Sequence, residues 1–414
     1  MQLVEFAEFE KVIASDTAIR RRQKLQPVGG QGDKIFPPTY PPEGNGPPRH
    51  VYERRRFPDG EKWCVLVDSV QSQANRLEEA LIALVEGGLS IPHIIVDFTE
   101  TDIQGIGKIT SLQAPHRVYD AILRDSELDG IPFLNSELGK RLVRASLADA
   151  SSLLEVDPAS LLFGAWHSTG QGGGLNPRFM RCLVSEIVAV DVPVEEVRDN
   201  RTNQPEIRTA ARRTASRIDP LGILRGVEVY KSKTNWDTEK REDEKSQKAR
   251  PSEIGHSNIR PTIEPLGITC DYIEHSFVLS FAALRRLRFG SEEKNIVGRS
   301  LIATLGLLAI HEQDRRGYAL RSRCNLVCKG MAPLELIHPD GSTDICEMDL
   351  ESAIKLYKKA YEEAKKAGFS LMGEPVILKP QKKLVEIVKM SQELALSGEG
   401  GQADKARTED DLGP

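Results

Sequence analysis

FGAWHSTGQGGGLNPRFMRCLVSEIVAVDV, residues 163–192, joins two stretches that ask for opposite environments. From Cys182 to Val192, the β-branched residues Val184, Ile187, Val188, Val190 and Val192 dominate, and Ser185 and Glu186 are the only polar interruption before Asp191. That pattern predicts an interior strand. Just before it, Gly170, Gly172, Gly173 and Gly174 permit positive φ and close backbone approach to a ligand. Trp166 and His167 add two rings, and Arg178 and Arg181 add two cations. A strand edge carrying such a loop suits an extended anionic polymer. The simpler reading is a glycine-rich connection with Trp166 in the core. A nucleotide-binding P-loop does not fit, because GQGGG lacks the Gly-Lys-Ser/Thr ending and precedes a strand.

The chain has 414 residues, 39% hydrophobic and 28% charged, enough for a sizeable core in two or three domains. Its net charge of -5 hides an uneven distribution. Residues 391–414 hold six acids against two bases, whereas residues 207–233 hold seven Lys or Arg against two acids. Six scattered cysteines, with no secretory signal at the start, predict reduced thiols and a cytoplasmic protein. Cys324, Cys328, His338 and Cys346 match no zinc-site spacing, so neither metal nor cofactor is expected. The most apolar run, Leu301–Ile310, is too short to span a bilayer, and no membrane partner is expected.

Helical spacing is read through EFEKVIASDTAIRRRQK, ending in the basic cluster Arg20, Arg21, Arg22 and Lys24. Residues 27–50 contain seven prolines and five glycines, which excludes a regular helix; Ile35, Phe36 and Tyr40 give this excursion something to pack. WCVLV (63–67) predicts a strand, followed by a helix over 68–88 that Gly87 and Gly88 stop. IIVDF (94–98) predicts another strand, with a loop or hairpin over 101–114. Helices are expected over 116–124 and 138–154, then again over 300–315 and 350–367. Further strands are expected over 224–231, 276–284 and 325–328. Residues 231–262 are almost all polar and read as a mobile insertion, and the tail beyond 397 has nothing to bury.

Five stretches, LQPVGGQGDKIFPPTYP (25–41), DSVQSQANRLE (68–78), APHRVYDAILRDS (114–126), FGAWHSTGQGGG (163–174) and SRIDPLGI (216–223), together resemble one family. They are similar to the CRISPR-associated RAMP-type backbone subunit, the Cas-seven family, of type I-G (formerly I-U) Cascade complexes, over about residues 15–330. The resemblance implies an α+β fold: a ferredoxin-like, RNA-recognition-motif-like βαββαβ palm with large insertions, including a thumb-like hairpin. It implies a non-catalytic subunit, several copies of which polymerise along the spacer part of a guide crRNA and support pairing with a target DNA strand in antiviral defence. Other copies, a large subunit and a Cas-five/Cas-six-type subunit are the implied protein partners. The aromatic RNP motif of standard RNA-recognition motifs is absent, so backbone contacts should dominate. The expected segments are 1–26, a Pro/Gly-rich arm over 27–62, a palm core over 63–230, the polar insertion 231–262, the remaining palm over 263–390 and a disordered tail over 391–414.

Residue chemistry inside and beside these motifs selects the candidate RNA contacts. Arg20, Arg21 and Arg22 form the first basic cluster, with Lys34 and Arg54 flanking the Pro/Gly-rich arm. Gln71, Ser72, Asn75 and Arg76 can donate to phosphate oxygens from a helix N-terminus. His116 and Arg117 precede the central loop, which contributes Trp166, His167, Ser168, Thr169, Gly172, Gly173 and Arg178. Arg212, Arg213 and Arg217 lie in the acid-free run beside SRIDPLGI. For most of these positions the competing reading is a solvated charge or a helix cap. The rival function is a metal-dependent RNA-cleaving subunit of type III kind, with Asp68, Asp97, Asp102 and Asp120 as candidate carboxylates, but the sequence offers no tight acidic cluster. A hydrolase using His167 and Ser168 fails because no nucleophile elbow is present.

Overall fold

Leu183–Val190 pairs on both sides within a nine-stranded sheet, as its β-branched composition requires. In chain order the strands are β1 (Ala18–Pro27), β2 (Tyr52–Phe57), β3 (Gly60–Asp68), β4 (Leu183–Val190), β5 (Tyr272–Ser280), β6 (Tyr318–Arg321), β7 (Cys324–Cys328), β8 (Leu334–Ile337) and β9 (Thr343–Cys346). The lateral order is β6-β7-β1-β5-β4-β3-β2, with β8 on β1 and β9 on β8, and these pairings are antiparallel. Ten residues let β1 hold two partners along one edge: Leu25–Pro27 meet β7, while Ala18–Arg20 meet β8.

This computed structural model describes residues 5–41, 49–167, 178–198, 205–208, 212–213, 217–232, 235–240, 246–259, 263–264 and 266–396. The chain divides into two compact units, residues 1–195 with 267–384, and residues 196–266 with 385–414. The first holds the nine-stranded sheet and a five-stranded sheet, in which Ile94–Asp97 runs parallel to Val376–Pro380 and is flanked by Lys108–Thr110. In the second, Val229–Lys231 pairs with Trp236–Asp237 and with Gln247–Ala249. The fold class is therefore mixed α+β.

Four helices matter for the site: α1 (Phe6–Ser15), α2 (Val70–Glu86), α3 (Glu292–Arg316) and α4 (Leu350–Lys366). Ser69 starts α2 by accepting the Ser72 amide, and Ala74, Leu77 and Leu81 are buried along one stripe. Residues 297–313 of α3 are buried around the whole helix, so its apolar run Leu301–Ile310 is core. No described helix is long and apolar enough to cross a membrane.

Several expectations need correction. Residues 18–27 form a strand, because period-two burial of Ile19, Arg21, Gln23 and Leu25 overrides the helical spacing. The strand expected over 276–284 ends at Ser280, whose hydroxyl caps a turn of helix by accepting the Ala283 amide at 3.1 Å. Residues 116–124 form a 3-10 turn and a four-residue helix. The helix expected over 138–154 breaks into Glu137–Arg144 and Ser151–Val156, with Pro158–Phe163 following. Of 224–231 only Val229–Lys231 is strand, and the polar segment 231–262 includes two short strands and a 3-10 turn. In the Pro/Gly-rich arm, Ile35 is buried and bridges Ile268, while Phe36 lies under Arg323, so these residues pack on their own unit. The tail beyond 397 lies outside the described residues.

Beneath the sheet, polar groups form a continuous chain of polar contacts. Asp68, fully buried at the end of β3, accepts from Ser72 Oγ (2.8 Å), Gln73 Nε2 (2.6 Å), Arg76 Nε (2.9 Å) and Arg321 Nη2 (3.3 Å). Gln73 Oε1 accepts from Gln313 Nε2 of α3 at 3.2 Å and lies 3.2 Å from Ser185 Oγ. Ser185 lies 2.7 Å from His275 Nε2, His275 Nδ1 lies 2.9 Å from Tyr318 Oη, and Tyr318 donates to Asp314, the ion-pair partner of buried Arg21. Because the Tyr318 hydroxyl donates to a carboxylate, Nδ1 of neutral His275 must carry the hydrogen, and Ser185 donates to Nε2.

Burial lowers the pKa of His275 to about 4, and that of His311 likewise. An unfolded imidazole titrates near 6.5, so between there and about 4 only the unfolded chain gains these protons. Their contribution to stability is complete above about pH 6.5 and declines as pH falls toward 4. Urea midpoints measured from pH 7.5 to 4.5 should fall accordingly, and His275→Asn, although less stable throughout, should show a shallower decline. An undiminished decline in the variant would contradict the assignment.

Candidate nucleic-acid interface

Strand alternation sends every second β1 side chain away from the helices, so Arg20, Arg22 and Lys24 share the outer face. The register continues each row across the sheet: Arg20–Val278–Val184, Arg22–Ser276–Glu186 and Lys24–Glu274–Val188. Val184 and Val278 are exposed, and Lys24 Nζ lies 4.7 Å from the Tyr272 ring centroid. Acidic neighbours balance the other cations: Arg20 meets Glu335, Arg22 meets Glu274 at 2.9 Å, and Arg55 meets Glu186 at 2.7 Å. Such partly exposed pairs contribute little, roughly 0–1 kcal/mol. A phosphate can replace a carboxylate here at small cost.

A cleft of about 650 Å³ opens where the chain enters β4. The Ser280 amide donates to Cys182 O (2.8 Å), so this is the sheet end bearing the Arg20–Val278–Val184 row. Trp166 is half exposed, with Arg178 Cζ 4.7 Å from its ring centroid, and His116, Met180, Arg181 and Arg286 complete the walls. Gly164 has φ of 83°, and a Cβ there would stand 2.9 Å from Phe179 O. Only glycine lets the Trp166 strand approach Arg178–Phe179 this closely. Beneath it Arg117, at φ 53°, donates to Gly164 O (3.0 Å) and to both Glu78 oxygens (2.6 and 3.0 Å). Burial pushes the Glu78 carboxyl up to about 7, against the pull of Arg117. A flat ring beside a guanidinium in a hole of this size suits an unpaired base.

The predicted contacts separate into surface and core. Arg20, Arg22, Arg178, Trp166 and His116 lie on the two surfaces just described, and Gln71 and Asn75 are exposed one turn apart on α2. Lys34 is half-buried, and Arg54 stacks over Trp63 at 4.8 Å. Arg21, Ser72, Arg76 and Arg117 are corrected: each is committed to a carboxylate partner inside the fold. His167 is also core, packed on Tyr119 at 5.2 Å. Ser168, Thr169, Gly172 and Gly173 lie outside the described residues, as do the side chains of Arg212 and Arg213, whose backbones pair with Ile263–Glu264. Arg217 is exposed in the second unit and bridges Ile259. Lys24 on the outer sheet face and Met180, Arg181 and Arg286 in the cleft wall are not among the contacts selected from the sequence; for Arg286 the run Arg285-Arg286-Leu287-Arg288 was the available signal.

The four aspartates have different local roles. Asp68 is saturated by donors, Asp97 accepts from the Thr99 amide at 2.9 Å, and Asp120 accepts from the amides of His116 and Ile122. Asp102 lies in the loop that follows Ile94–Asp97. His338 is held between Asp16 (2.6 Å) and Asp344 (3.2 Å). Among the described residues, no group of three or more His, Cys, Asp or Glu is placed to hold a metal ion.

Residues 19–194, less than half of the chain, match the family described as CRISPR-associated protein GSU0053. That match supports a CRISPR-associated reading of the segment holding β1 to β4. No curated protein matches the chain. Among solved structures, the crystal structure of Thermofilum pendens Csc2 is similar at 11% identity, covering 94% of this chain and 80% of that one with a TM-score of 0.23. A superposition that loose carries no argument.

The division between core and surface side chains can be tested on α2 alone. Arg76→Ala leaves buried Asp68 short of a charged donor and should cost about 2–4 kcal/mol in chemical denaturation. Gln71→Ala and Asn75→Ala should change stability by less than about 0.5 kcal/mol. Equal effects at all three positions would contradict the assignment.

Proposed function

We propose that this chain is a non-catalytic, RNA-binding backbone subunit of a CRISPR surveillance complex, of the type I-G Cascade kind, acting in the cytoplasm. The observation that carries the reading is the outer row of Arg20, Arg22 and Lys24 running toward the Trp166–Arg178 cleft at one end of the same sheet. We read the lateral order β7-β1-β5-β4, with α2 between β1 and β4 in the chain and α3 between β5 and β7, as a ferredoxin-like βαββαβ palm. The outer sheet face then holds guide crRNA mainly through phosphates, leaving bases free to pair with a target DNA strand. The cleft accepts an unpaired base. Further copies of the chain, a large subunit and a Cas-five/Cas-six-type subunit complete the assembly. The family match over 19–194 supports this reading.

Binding of unstructured RNAs of several sequences, followed by fluorescence anisotropy across a salt series, tests it. Arg22→Ala with Lys24→Ala should weaken all sequences alike and make the salt dependence shallower. Trp166→Ala should lower affinity by about 5- to 100-fold, the range of one lost base stack, with the salt slope unchanged. Wild-type protein that binds no RNA, or metal-dependent cleavage abolished by Asp97→Ala or Asp102→Ala, would sink the proposal.

A further inference from the structure

A second cleft, of about 540 Å³, lies on the helix side of the sheet between the β8–β9 hairpin and the end of α3. Met331, Pro333, Leu334, Ile345 and Met348 wall it with apolar surface, and Met331 and Ile345 are more than half exposed. Its floor contains Arg21 and His311, both more than nine-tenths buried, and neither Arg21 Nε nor His311 Nε2 has a hydrogen-bond partner. Glu347 and Asp349 stand at the rim, Asp349 also capping α4 by accepting the Ser352 amide at 2.8 Å, and Arg315 beside them is paired with Glu312. Apolar walls, unsatisfied polar atoms below and the exposed carboxylate of Glu347 at the rim describe a seat for a basic, apolar polypeptide segment.

The second unit carries a segment of that chemistry in SRIDPLGI and the two residues after it, apart from the sheet face and the cleft described above. Arg217 and Ile259 exchange backbone hydrogen bonds at 3.0 and 2.8 Å, and Asp219 closes a turn by accepting the Leu221 amide at 3.0 Å and, through its carbonyl, the Gly222 amide at 3.1 Å. This ordered turn presents Ile218, Leu221 and Leu224 to solvent at 79%, 68% and 75% exposure, between Arg217 and Arg225. Local polar bonds hold three apolar side chains outward, so a partner that covers them meets a preorganised surface.

We propose that the turn Arg217–Arg225 of one copy seats in the Met331–Met348 cleft of a second copy, its arginines facing Glu347 and Asp349. The contact is head-to-tail, using different surfaces on the two copies, so it propagates. It deepens the assembly part of the functional reading and rests on it.

Sedimentation of the full-length chain, without RNA and on RNAs of increasing length, tests the idea. Glu347→Lys, and separately Arg225→Glu, should each weaken self-association about tenfold or more, while circular dichroism and single-copy RNA affinity stay unchanged. Mixing the two variants should restore association, because a lysine-rimmed cleft then meets a glutamate-flanked turn on another molecule. Leu221→Asp with Leu224→Asp should abolish association in either mixture. Variants that associate like wild type, or a mixture that is not restored, overturn this contact alone and would show that the cleft is empty or filled from within one chain. A wild-type chain that stays monomeric on every RNA overturns the assembly reading itself, whereas loss of RNA binding in wild type bears on the functional proposal and not on the cleft.

Discussion

A carboxylate with no exposed surface needs hydrogen-bond donors on every side, and in this protein Asp68 obtains them from α2, from the start of that helix and from β6. The chain of polar contacts continues through Gln73, Ser185, His275 and Tyr318 to Asp314 and Arg21. Each member sits on a different strand or helix, so a one-residue slip in β1, β4 or β5 would strand several buried polar groups at once. Apolar packing around Leu25, Val65, Ile187 and Ile273 stabilises the same layer but discriminates far less between registers. The polar chain therefore sets how the two large helices meet the sheet.

That requirement on the inner face determines what is left for the outer one. Arg21 and Gln23 point inward and are bonded there, Gln23 to Gly330 O (2.6 Å) and to the Ala332 amide (2.8 Å). Arg20, Arg22 and Lys24 consequently face out, about 7 Å apart along the strand, since successive side chains alternate at roughly 3.4 Å per residue. Their carboxylate neighbours keep the face close to neutral without a ligand. This limits nonspecific attraction while leaving guanidinium groups that exchange partners at little cost.

Of the four described non-glycine residues with positive φ, Arg117 is the one that underlies the Trp166–Arg178 cleft. Arg117 occupies the left-handed region, which is uncommon for a residue with a side chain, and three hydrogen bonds to Glu78 and Gly164 hold it there. The result is a rigid floor that fixes the approach of Trp166 to Arg178. Arg117, one of the arginines selected from the sequence as a contact, thus shapes the site from below.

Much of the architecture was legible in order. The strands at 63–67, 94–98 and 183–190 and the helices at 70–86 and 350–366 follow from β-branched runs, periodic burial, a serine cap and terminal glycines, all of which act over a few residues. Trp166 and Arg178 were both singled out by residue chemistry, but their pairing across two short strands is seen only in the structure. The roles of Arg21, Ser72, Arg76 and Arg117 were not, since each depends on a carboxylate or strand alternation that local polarity does not reveal. A sequence specifies that a cation exists and how often apolar residues recur around it. Whether that cation faces solvent or a buried acid is decided by strand register and by which distant elements pack beneath it, because the cost of an unpaired buried charge is settled only when the whole layer closes.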